Sequence, residues 1–223
     1  MHGLELTRQA AAHRHRAVTA GAPEDLGPYE LAKAAAGRER LAVCRVKACN
    51  PLLHGGEATY DPDTRLILHK ACADPFEEAF LVAHELGHVV LEDGAGLHVA
   101  SGVDPMRGSE PPPSGPDAVS DYGRRQRREV MMDLFARELL LPREVARDLH
   151  LREGMPAKVI AARHRLPWNV VALQLLDALL LPPPRDAVAA TPEPPLNAEQ
   201  LDAATHSGSP LLLEAGPGTG KTR

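Results

Sequence analysis

The chain has 223 residues, 43% of them apolar but only 3% aromatic, and a formal net charge of −5. That length suffices for one large or two small domains, with cores built mostly from Leu, Val and Ala. The charge excludes a global pull toward nucleic acid or anionic membrane, and no run of 18 apolar residues offers a membrane span.

From the N-terminus, MHGLELTRQAAAHRHRAV lacks the apolar stretch of a signal peptide. Residues 5–36 read as one or two helices with alanine-rich faces. His13 and His15, in HRHR, read as surface residues. Cys44, Cys49 and Cys72 are odd in number and lack CxxC spacing, so they read as reduced thiols. A cytoplasmic protein is the expectation. Residues 40–48, 56–60 and 65–69 are β-prone, with Asp61-Pro62-Asp63 as a turn between the last two. They predict a small antiparallel sheet.

Asp74-Pro75 then signals a helix start, with Asp at the cap, Pro at the first helical position and Glu77 placed as in a capping box. Asp93-Gly94 is the matching stop. Between them, Phe76, Phe80, Ala83, Gly87 and Val90 form an apolar stripe at helical spacing. His84-Glu85-x-x-His88 lies on this helix, with both imidazoles on another face, flanked by Leu81 and Leu91. Gly87 allows another backbone to come close. HExxH fixes only three positions, and an ordinary buried helix can satisfy two histidines with backbone or carboxylate partners. The alternative is zinc, bound by two imidazoles in an apolar wall.

Catalytic zinc takes three protein ligands and leaves one position open. Past a Pro/Gly/Ser-rich loop at residues 101–119 comes RRQRREVMMDLFARELLLP, residues 124–142. Glu129 and Asp133 are one helical turn apart and face the same way. Asp133 sits among Met131, Met132, Leu134 and Phe135, where an unpaired acid is costly. A metal-ligating histidine needs such an acceptor for its other ring nitrogen. The pair therefore reads as Glu129 on zinc and Asp133 behind a ligating histidine. The basic run Arg124-Arg125-Gln126-Arg127-Arg128 reads as a solvated first turn.

HExxH followed by Glu-x-x-x-Asp resembles the gluzincin arrangement of thermolysin-like peptidases. EVMMDLFARELLLP resembles more closely the corresponding helix of ImmA/IrrE-type metallopeptidases, roughly E-x-x-A-N-x-F-A-x-E-L-L-x-P. Phe135, Ala136, Glu138, Leu139, Leu140 and Pro142 match. Met132-Asp133 departs from the usual Ala-Asn. The likeness covers about residues 5–181, with strands feeding a zinc helix in the family's order. It implies an α+β fold and zinc on His84, His88 and Glu129. It also implies Glu85 as general base, and a substrate among regulatory DNA-binding proteins such as helix-turn-helix repressors. Tyr122 and His150 are candidates for stabilising an oxyanion. The alternative is a zinc-containing sensor or binding module that cleaves nothing.

Residues 143–181 carry three helical patterns with a break at Leu166-Pro167, a helix-turn-helix cadence in which Trp168 reads as core. Residues 182–195 are a proline-rich linker. Residues 196–223 contain LNAEQ, then a Leu211-Leu212-Leu213 strand run and Gly216-Pro-Gly-Thr-Gly-Lys-Thr222. A glycine-rich loop after a strand offers amide groups to phosphates. The tract is similar to the start of UvrD/Rep-type superfamily 1 helicases. That likeness implies nucleotide contacts from Gln200, Gly216, Gly218, Gly220, Lys221 and Thr222. The expectation is a peptidase domain, 1–181, joined to the first residues of a helicase motor. ATP, Mg²⁺ and DNA binding would belong only to the longer protein.

Overall fold

The computed structural model describes residues 2–23, 26–91, 97–107 and 124–181. The order of elements is α1 (His2–Thr19), α2 (Pro28–Arg38), β1 (Ala42–Val46), a 3₁₀ turn (Pro51–Leu53), β2 (Ala58–Asp61), β3 (Leu66–Lys70), α3 (Pro75–Val90), β4 (His98–Ala100), α4 (Arg124–Leu140), α5 (Arg143–Leu151), α6 (Ala157–His164) and α7 (Trp168–Leu180). The fold is α+β, as the sequence implied.

The sheet runs β1-β3-β2-β4. β2 is antiparallel to both β3 and β4, but β1 lies parallel to β3, so the sheet is mixed. β2 and β3 form a hairpin. Asp61 takes the Asp63 amide at 3.0 Å and the Thr64 hydroxyl at 2.7 Å, which closes the expected turn. β1 then adds to the free edge of β3. β4 was not anticipated: three residues are too few for a pattern of alternating polarity to show.

α3 starts as its sequence dictates. Asp74 Oδ1 accepts the Phe76 amide at 2.8 Å, and Pro75 loses nothing by lacking an amide at the first helical position. Glu78 fastens this end to the sheet by accepting from the Arg45 guanidinium and the Cys72 amide. Every residue from Glu78 to His88 is buried, more than a single stripe predicts. The reason is cover on several sides: α2, α4 and the sheet all pack on this helix. At Gly87, an added Cβ would lie 2.8 Å from Met132 Sδ and 3.2 Å from the Phe135 ring. The missing side chain lets α4 press against α3.

The C-terminal helices are tied down by polar groups. Glu138, within the ELL stretch of α4, accepts the Arg143 amide at 3.0 Å and so caps α5. Its other oxygen accepts from the Gln174 amide group of α7. Arg137 is fully enclosed and donates to Gln174 Oε1, Asp177 and the carbonyls of Pro105 and Arg107. Four acceptors offset the cost of burying a guanidinium.

Besides the expected antiparallel sheet, which is mixed because β1 joins β3 in parallel, two expectations are corrected. Trp168 is 58% exposed, because Val170, Val171, Gln174 and Leu175 take the inward face of α7. His15 is buried and its Nδ1 donates to the Leu139 carbonyl at 2.8 Å, since that face of α1 packs on α4. His13 is exposed, as expected. The Asp93-Gly94 stop, the proline-rich linker and the phosphate-loop tract all lie outside the described residues.

Candidate metal centre

α3 and α4 pack side by side, and this contact assembles the site. Four-residue spacing on each helix does the rest. His84 and His88 project from α3, Glu129 and Asp133 from α4. Ligating atoms of His84, His88 and Glu129 all lie within 4.8 Å of one another. His84 Nε2 is 3.3 Å from Glu129 Oε2, yet it makes no hydrogen bond of acceptable alignment. Zinc bonds of ~2.1 Å arranged tetrahedrally place neighbouring donors ~3.4 Å apart. The His84–Glu129 separation therefore suits two ligands of one ion better than a proton shared between them.

The other side of His84 is fixed. Its Nδ1–H donates to Asp133 Oδ1 at 2.8 Å, which leaves Nε2 as the basic nitrogen. Asp133 is itself held. Its Oδ2 accepts from Arg107 Nε at 3.1 Å and from the Asp104 amide at 3.3 Å. Arg137 grips the same 104–107 segment by two carbonyls. A continuous set of bonds thus runs from α7 through Arg137 and Arg107 to the ring of His84.

The electrostatics favour a cation. Burial opposes charge on His84, but the Asp133 and Glu129 carboxylates outweigh it and raise its pKa to about 9. Burial pushes Glu129 up, but the imidazoles of His84, His88 and His98 outweigh it, so its pKa is lowered. The carboxylates thus draw positive charge to this spot, carried in the metal-free protein by the His84 proton, which a bound metal ion would displace.

Glu85 is fully buried, and neither of its oxygens has a hydrogen-bond partner among the described residues. It sits one residue from His84 and contacts a residue that the sequence did not reveal. His98, on β4, places Nδ1 3.3 Å from Glu85 Oε2 and Nε2 3.8 Å from Glu129 Oε1. Its ring stacks on His88 with centroids 3.3 Å apart. Only the pairing of β4 with β2, with His98 opposite Tyr60, brings it here. No spacing rule links position 98 to position 84. Arg107 and Arg137 were also missed; an arginine amid the Phe135–Leu140 core was the one available signal.

Of the remaining candidates, His150 is bonded to the Met155 carbonyl at 2.8 Å and does not belong to the cluster. Tyr122 lies outside the described residues, as do Gln200, Gly216, Gly218, Gly220, Lys221 and Thr222. A cavity of about 320 Å³ between α3 and the 103–106 segment, floored by Phe76, Phe80, Leu81 and Met106, contains none of the cluster residues. Donor chemistry, not concavity, marks the site.

Residues 51–176 match the model of the IrrE N-terminal-like domain, Peptidase_M78. This chain belongs to that family. The match spans both HELGH and Glu129–Asp133 and stops before the linker. No curated protein matches the chain. Membership of Peptidase_M78 makes the protein metallopeptidase-like, and the His/Glu cluster is compatible with a metal ion. No described helix is long and apolar enough to cross a membrane.

Proposed function

We propose that the chain is a zinc-dependent endopeptidase with His84, His88 and Glu129 as ligands and Glu85 as general base. The observation that carries this reading is the meeting of three suitable donors beside a buried carboxylate that has no hydrogen-bond partner among the described residues. When bound, zinc supplies a Lewis acid that makes water a nucleophile near neutral pH and polarises a scissile carbonyl. The protein groups do the remainder. Asp133, held by Arg107 and the Asp104 amide, keeps the His84 ring in one tautomer and one orientation. Glu85 accepts the proton of the attacking water and can return it to the leaving amine. Among the described residues its oxygens accept no hydrogen bond, and His98 Nδ1 stands 3.3 Å from one of them.

The substrate class we propose is a regulatory DNA-binding protein, on the ImmA/IrrE likeness, acting in the cytoplasm. For the tract Gly216–Thr222 we propose a phosphate-binding loop of a helicase portion that follows the linker; Gln200 supports it by its place in LNAEQ. Metal analysis tests the central reading. Purified wild-type chain should carry one tightly held zinc, and His84→Ala and Glu129→Ala should each lose it. Full zinc occupancy in Glu129→Ala would dismiss this ligand set.

A further inference from the structure

His98 stands outside the set His84, His88 and Glu129, but its ligating atoms lie within 4.8 Å of those of Glu85 and His88, a second group that shares His88 with the first. Its Nδ1 and both oxygens of Glu85 are buried and without hydrogen-bond partners among the described residues. The two groups approach to 3.3 Å without the alignment a hydrogen bond needs. A buried carboxylate with no donor is costly. A cation between the two groups would relieve that cost, and 3.3 Å is close to the ~3.4 Å edge of a tetrahedral zinc site.

We propose that Glu85 and His98 hold a second, weaker zinc ion beside the first. An ion there would occupy the carboxylate that serves as base, so zinc in excess would silence the site. That consequence rests on the peptidase reading, whereas the site itself does not. The chemistry of the pair selects the ion. One imidazole nitrogen with one carboxylate oxygen suits zinc, while Mg²⁺ and Ca²⁺ prefer oxygen alone. The His98 side chain is 23% exposed, which gives an ion and its completing waters access. The β4–β2 pairing and the stack on His88 hold the ring in place. Binding is weaker because His88, the third donor within 4.8 Å of this pair, is taken by the first ion, and because the first ion repels the second.

Zinc titration of the full chain, followed by calorimetry and equilibrium dialysis, tests the site. Wild type should show a tight zinc and a weaker one. His98→Phe keeps a flat ring against His88 but removes both nitrogens; His98→Gln keeps polarity. Both should retain the tight zinc and lose the weaker, with unchanged far-UV circular dichroism. An unaltered weak class in His98→Phe would overturn the proposal. So would loss of the tight zinc, which would make His98 a ligand of the first ion. His84→Ala is read separately. It should lose the tight class, and if it does not, the ligand set fails while the His98 comparison still judges the second site.

Discussion

The Nδ1–H of His84 donates to Asp133 Oδ1 at 2.8 Å, and Asp133 spends its other oxygen on Arg107 and the Asp104 amide. A carboxylate held from both sides orients the ring and raises its basicity. Loss of such a partner typically costs 10–100-fold in metal affinity. Asp133→Asn should weaken zinc binding by roughly that factor, as measured by chelator competition. Arg107→Gln should act in the same direction with a smaller effect, because the Asp104 amide remains.

The same pair sets a pH dependence. In the metal-free protein His84 has a pKa of about 9, so at neutral pH its imidazole carries a proton. Zinc needs the neutral ring, so a proton must leave. Apparent zinc affinity should therefore rise about tenfold per pH unit between roughly 6 and 8. It should level off as pH passes through about 9. Dissociation constants across that range, corrected for the competing buffer, check the slope. A flat profile would show that His84 is not a ligand.

Glu85→Gln separates catalysis from a purely structural metal. The change preserves shape and touches no ligand of the first zinc, so the tight zinc and the melting temperature should be nearly unaltered. Turnover should fall by about 10²–10⁴-fold, the usual contribution of a positioned base. Full activity in this variant, in cells that lose it with His84→Ala, would favour a sensor module over a peptidase.

Gly87→Ala tests the helix contact that builds the site. Alanine favours a helix over glycine by ~1 kcal/mol. Against that, the new Cβ would meet Met132 Sδ at 2.8 Å and the Phe135 ring at 3.2 Å, both in the packed core. Overpacking of this kind typically costs about 1–3 kcal/mol. The variant should be net destabilised, visible as a lower urea midpoint. Zinc affinity should fall too, because separation of α3 from α4 moves Glu129 away from the histidines.

Glu138 supplies a stability effect remote from the metal. Burial raises its pKa to about 7, against the lowering effect of the Arg143 amide, Gln174 and nearby arginines. A folded-state pKa above the unfolded value means that the native protein binds the extra proton. The corresponding stability is fully present below the unfolded pKa near 4.5 and is lost as pH rises through about 7. At 1.36 kcal/mol per unit, the loss could approach ~3 kcal/mol. Glu138→Gln should flatten that fall, measured as unfolding free energy at pH 5 and pH 8.

The chain by itself determined what depends on local periodicity. Asp74-Pro75 started α3, four-residue spacing put His84 with His88 and Glu129 with Asp133, and the intrusion of Asp133 into an apolar run announced a buried partner. Gly87 advertised a close approach. The Leu166-Pro167 break fixed where α7 begins. These signals survive in one dimension because a helix repeats every 3.6 residues whatever surrounds it.

Tertiary structure decided the rest. That β1 runs parallel to β3 depends on which edge the β2–β3 hairpin leaves open, a choice no local propensity records. His98 reaches Glu85 only through a three-residue strand on β2. Arg107 reaches Asp133 only because Arg137 grips its segment from α4. Trp168 faces outward and His15 inward because neighbouring helices, not hydrophobicity, settled which face was covered. A side chain's burial depends on what packs over it, and that cover comes from residues distant in the chain.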